Sequence, residues 1–119
     1  MKQIILENNL IRYEILKVLY LRENESKARS YDELIKELSI YPKDKVNKNL
    51  EFLKEEDLVG YIRTFGAYLN PKITSKGIKL VEEIELQKKE KGKVRQWISN
   101  NASWIVPSIM EIIKLIHGQ

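Results

Sequence analysis

Ile11, Ile15, Val18 and Leu19 recur at helical spacing, with Leu16 beside them, and predict a first helix over residues 8 to 22. The polar run "RENESKAR" that follows reads as a loop. In "SYDELIKEL", Ser30 and Glu33 make an S-x-x-E capping box ahead of Leu34, Ile35 and Leu38, so a short second helix should end near Ser39. Tyr41-Pro42 marks a boundary, because proline pushes the residue before it out of the helical region. Pro42 itself suits the first turn of a third helix. Val46, Leu50 and Leu53 then fall at i, i+4 and i+7, predicting a buried stripe along a helix over residues 43 to 56.

After this the period changes. "LVGYIRTF" and "AYLNPKIT" are rich in β-branched and aromatic residues and read as a hairpin about Gly66. Thr74 or Ser75 can cap a fourth helix in which Ile78, Val81 and Ile84 face inward. Gly92 is a break before the tail "VRQWISNNASWIVPSIMEIIKLIHGQ". There Val94, Ile98, Asn101, Ile105, Ile109, Ile112 and Ile116 step by three or four along one line, which Trp97, Trp104 and Ile113 broaden. Pro107 interrupts the line, so the tail is either one kinked helix or two short ones, the second capped by Ser103.

Composition narrows the function. The chain has no cysteine, which excludes disulfides, thiolate zinc sites and thiol chemistry. Met1 is followed by no long apolar run and no stretch approaches the ~20 apolar residues of a membrane span, so a cytoplasmic location is expected. The single histidine, His117, lies at a helix end. No glycine-rich phosphate loop or nucleophile–histidine set is present. The pairs Glu55-Glu56 and Glu82-Glu83 read as solvated faces, because adjacent helical residues point in different directions. No enzyme activity, cofactor or metal is expected. The net charge of +4 is segregated: residues 60 to 81 hold Arg63, Lys72, Lys76 and Lys79 with no acid, and Lys88, Lys89, Lys91, Lys93 and Arg95 cluster before the tail. Segregated positive charge suits an anionic partner, although lysine-rich faces also serve solubility alone.

Three helices, a hairpin and a further helix make a mainly α class with a small β-hairpin. The stretch "SYDELIKELSIYPKDKVNKNLEFLKEEDLVGYIRTFGAYLNPKITSKGIKLVEEI" resembles the winged helix-turn-helix regulators, of the broad type that includes the MarR-like and PadR-like families. The resemblance covers about residues 10 to 85. It implies a winged-helix domain over residues 1–92 and a C-terminal helical extension over 93–119. It also implies a DNA-binding transcriptional regulator whose recognition helix, about 43–56, enters the major groove of double-stranded DNA.

The N-terminal half of that helix offers Lys43, Lys45, Asn47, Lys48 and Asn49. Lysine can contact phosphate or guanine, and asparagine can pair bidentately with adenine. With the Val46-Leu50-Leu53 stripe buried, Lys48 lies nearly opposite it, Lys45 and Asn47 flank it, and Asn49 is nearer the buried side. On the hairpin, Arg63, Tyr68 and Lys72 are the candidate contacts, although the tip "TFGAYL" carries no charge. The tail residues Trp97, Ile98, Trp104, Ile105, Ile109, Ile112, Ile113 and Ile116 are expected to pair with a second subunit in a homodimer. Packing on the chain's own domain is the alternative, and membrane docking a weaker one. A protein-interaction module that binds no DNA is the competing function.

Overall fold

The computed structural model describes residues 1–24, 30–90 and 92–117. Three helices, α1 (Lys2–Asn24), α2 (Tyr31–Glu37) and α3 (Lys43–Glu55), lead into an antiparallel hairpin of β1 (Val59–Thr64) and β2 (Ala67–Ile73). The helix α4 (Ser75–Gln87) follows, then α5 (Gln96–Asn101), a 3-10 helix (Ser103–Ser108) and α6 (Ile109–His117). The chain is thus mainly helical with one small hairpin, as the periodicity predicts.

The local signals land where their chemistry places them. The Ser30 hydroxyl accepts the Glu33 amide at 3.2 Å, and the Thr74 hydroxyl accepts the Gly77 amide at 3.1 Å, so each caps its helix. Pro42 sits at the N-cap of α3. The hairpin turns through Phe65 and Gly66, the latter at φ 70°, a left-handed conformation that glycine adopts without strain. Gly92, at φ 100°, lies in the break between α4 and α5. Most of the predicted loop "RENESKAR" lies outside the described residues, although Arg22–Asn24 complete α1.

Two elements differ from expectation. Helix α1 starts at Lys2, well before residue 8. The consecutive Asn8 and Asn9 are weak helix formers, but Asn9 is buried and bonded to the tail, so tertiary contact overrides propensity. The tail is neither one kinked helix nor two: three short helices occupy it, with Pro107 inside the 3-10 segment. Ser103 does not act as a side-chain cap there.

The core is one cluster. Ile11, Ile15 and Leu16 of α1, Val46, Leu50 and Leu53 of α3, and Leu80 and Ile84 of α4 share it with Ile98, Ile105, Ile109 and Ile112 of the tail. The expected division at residue 92 is therefore a break in the helices but not in the packing. At the α4 entry the chain passes very close to itself. A Cβ on Gly77 would stand 2.3 Å from the Leu58 carbonyl oxygen and 2.7 Å from Ile73 Cγ1. Gly77→Ala should therefore destabilise the fold by about 1–3 kcal/mol, the usual range for overpacking, as a lowered urea midpoint.

Candidate nucleic-acid interface

Helix α3 has three working sides. Val46, Leu50 and Leu53 are fully buried on the first. A second side, Asn49 with Phe52, faces α1 and the tail. Asn49 is 2% exposed and its side chain is spent: its amide donates to the Lys45 carbonyl (2.8 Å) and to Asn8 Oδ1 (3.2 Å). Its Oδ1 accepts from Arg12 Nε at 2.8 Å. Asn49 thus cannot contact a base. The Lys45 ammonium is half-exposed and ion-paired with Glu7 of α1, which cancels much of its charge.

The remaining side faces out or toward the hairpin. Lys43, Asp44, Lys48, Glu51, Lys54 and Glu55 are exposed on it. Lys48 makes no ion pair or hydrogen bond among the described residues, and the Lys43 ammonium only approaches the Tyr31 ring, 5.8 Å from its centroid. Asn47 is half-buried and its side-chain oxygen accepts the Tyr31 hydroxyl. That engages one of the two lone pairs of its oxygen and leaves its amide donor unengaged among the described residues.

On the hairpin, Tyr68 is 4% exposed and cannot be a contact residue. Its ring packs against Tyr31 (centroids 5.2 Å apart) and edge-on against Tyr61 (5.0 Å), and its hydroxyl donates to Glu51 at 2.5 Å. This cluster seats the hairpin on α2 and α3. The Arg63 guanidinium lies over the Tyr68 ring, 4.2 Å from its centroid, and Nη1 donates to the Thr64 and Ala67 carbonyls at 3.2 and 3.0 Å. It braces the turn more than it reaches outward. Lys72 is exposed and makes no ion pair among the described residues. Below, Glu51, Glu55 and Asp57 outnumber Lys54 and Arg63 around a cleft between the C-terminal half of α3 and β1. Phosphate would be disfavoured at this cleft.

The tyrosines share an electrostatic property. Burial, with the hydrogen bond to Glu51 next, pushes the Tyr68 phenol up to about 12. Burial likewise raises Tyr13, near Glu85, and Tyr41, beside Glu14. A phenol whose folded pKa lies above the ordinary value of about 10 favours the folded state while protonated. That stabilisation is complete below about pH 10 and is lost as pH rises through about 12. Phenolate absorbance at 295 nm should therefore lag free tyrosine and then rise together with the loss of helical circular dichroism. Titration at the ordinary pKa with the helix signal intact would contradict the buried cluster.

The tail residues fall into two groups. Ile98, Ile105, Ile109 and Ile112 are 0% exposed against their own domain, so they are unavailable as an intersubunit seam. Trp97, Trp104, Ile113 and Ile116 are half-buried, while Met110 and Leu115 are exposed. What locks the tail down is a polar clamp that the apolar periodicity did not reveal. Asn9 Nδ2 donates to the Trp104 carbonyl and to Ser108 Oγ, both at 2.9 Å, while Asn9 Oδ1 accepts from Arg12 Nη1 at 2.9 Å. The Arg12 guanidinium lies 3.6 Å from the Phe52 ring centroid and 5.6 Å from that of Trp104, and those rings meet edge to face at 5.4 Å. Burial lowers the Arg12 pKa, Glu56 opposing.

A second clamp holds the linker. Glu83, read as solvated in the sequence, is 3% exposed and receives Arg95 Nε at 3.2 Å and Nη2 at 3.3 Å. Gln87, also buried, donates to the Lys93 carbonyl (3.1 Å) and accepts the Arg95 amide (2.7 Å). Lys88 pairs with Glu85 and Arg95 also with Glu90, so the basic cluster before the tail is partly neutralised. Among the described residues no group of His, Cys, Asp and Glu could hold a metal ion, and no helix is long and apolar enough to cross a membrane. No family model, curated protein or solved structure matches this chain.

Proposed function

We propose that residues up to about Gln87 form a winged helix-turn-helix and that the chain is a DNA-binding transcriptional regulator. One observation carries the reading. Lys43 and Lys48 at the start of α3 and Lys72 on the hairpin are exposed and without acidic partners among the described residues, on an α2–turn–α3–hairpin layout. Helix α3 would enter the major groove by its first turns, with Lys43 and Lys48 on phosphate or guanine edges, Asn47 offering one donor, and Lys72 on the flanking backbone. Its role is binding, not catalysis.

A homodimer belongs to the same proposal, since two half-sites about 34 Å apart are read by two such helices. The surface for it is the outer side of α6, Met110 and Leu115 with the half-buried Ile113 and Ile116. The competing reading, a protein-interaction module, draws support from the even balance of lysines and acids on the outer side of α3.

The deciding test is fluorescence anisotropy on several unrelated duplexes with the paired substitution Lys48→Ala, Lys72→Ala. Both side chains are exposed, so stability should change by less than about 0.5 kcal/mol each. Affinity should fall on every sequence, and the salt slope should shrink by about 2. Unchanged affinity in the variant would favour the protein-interaction reading.

A further inference from the structure

The hairpin presents an apolar end that the DNA contacts above do not use. Phe65 at the turn is 107% exposed, and behind it Ile62 (60%) and Leu69 (43%) are cross-strand partners on the outer face. The turn is stiff. Thr64 pairs with Ala67, and the Arg63 guanidinium ties both of their carbonyls while resting on Tyr68. The opposite face is fixed by the Tyr31–Tyr68–Tyr61 cluster. Around Gly66 there is open space. A bulky aromatic side chain is thus held out from the domain on a braced, two-residue turn.

The charges next to it identify the occupant. Arg63 and Lys72 are the only charged residues of the two strands, and Lys72 lies on the same outer side as Leu69, brought there by the bulge at Asn70 (φ 50°). The strands themselves carry only these cations, while the acids Glu51, Glu55 and Asp57 line the cleft on the α3 side, so the outer face suits a polyanion with an apolar interior to reach, which describes stacked base pairs. We propose that Phe65 is a wedge that enters the minor groove of bound DNA and partly unstacks one base step, with Ile62 and Leu69 packing on the sugars beside it. This rests on the DNA-binding reading and extends it. The protein would bend its site, and flexible TA and CA/TG steps beneath the tip would be favoured without any hydrogen bond to a base.

The experiment uses the full-length protein and a duplex end-labelled for energy transfer, with a fluorescent purine analogue at a central TA step. The unmodified protein should shorten the end-to-end distance and brighten the analogue. Phe65→Ala should lose both signals and bind about tenfold more weakly, with its salt slope unchanged because no phosphate contact is removed. Phe65→Trp should keep both signals, and both variants should melt at the parental temperature. Phe65→Ala bending the duplex like its parent would overturn the wedge. So would a loss of affinity confined to single strands, which would make Phe65 a stacking platform. Absence of duplex binding by the unmodified protein would instead remove the DNA reading on which the wedge depends.

Discussion

Deleting residues 93–119 should abolish the cooperative fold instead of releasing a stable N-terminal domain. Ile98, Ile105, Ile109 and Ile112 are fully buried in the same core as α1, α3 and α4. Removing one buried isoleucine side chain to alanine typically costs about 2–5 kcal/mol. Four lost together exceed much of the ~5–15 kcal/mol by which whole domains are stable. The truncated chain would also leave the Asn9 amide and the Arg12–Phe52 stack without the Trp104 and Ser108 groups that cover them. Circular dichroism and urea unfolding of the deletion should show little helix and no sigmoidal transition. Ile105→Ala in the full chain should stay folded with a midpoint lowered by about 2–5 kcal/mol in stability. A truncated domain that melts cooperatively with its helices intact would make the tail an appendage. Ile109→Asp, on this packing, should unfold the chain and not merely separate subunits.

Arg12→Ala should be the costliest single change at a residue that is not fully buried. The substitution strands two acceptors: the Asn9 and Asn49 side-chain oxygens, on residues 1% and 2% exposed. Each buried group left unpaired costs about 1–3 kcal/mol. Loss of the guanidinium from the Phe52 face adds about 0.5–2 kcal/mol. Local relaxation and water will recover part of this, so a net loss of about 2–4 kcal/mol is expected in urea unfolding. Arg12→Lys should restore little, since an ammonium cannot reproduce two directed bonds and a planar stack together. Near-parental stability of Arg12→Ala would mean that the clamp adds little to the packing of the tail.

The two clamps mark the limit of what periodicity could reveal. The Val46-Leu50-Leu53 stripe, the Ser30 and Thr74 caps and the turns at Gly66 and Gly92 were legible because each depends on residues a few positions apart. The partners of Asn9 lie 95 and 99 residues away, and Arg12 reaches Asn49 across 37. A polar residue on an inward face looks like a flaw in the pattern until that partner is known. By spacing alone Asn49 therefore reads as a DNA candidate and Glu83 as solvated, although Glu83 lies three residues from Leu80 on the buried side of α4. Tyr68 is a similar case: alternation puts an aromatic on the hairpin but cannot say that Tyr31 covers it. In the tail, spacing reveals an apolar line but not its cover, to which the chain's own α1 and α4 contribute.

If a few exposed cations on α3 and the hairpin hold a duplex as proposed, the affinity of the full-length protein for duplex DNA across ionic strength measures it most directly. On this proposal Lys43, Lys48, Lys72 and a partly engaged Arg63 would supply about 3–4 phosphate contacts per chain, so log affinity should fall against log salt with a slope of about −2.7 to −3.6 per bound chain. No detectable binding at the lowest salt, or an affinity indifferent to salt, would contradict it.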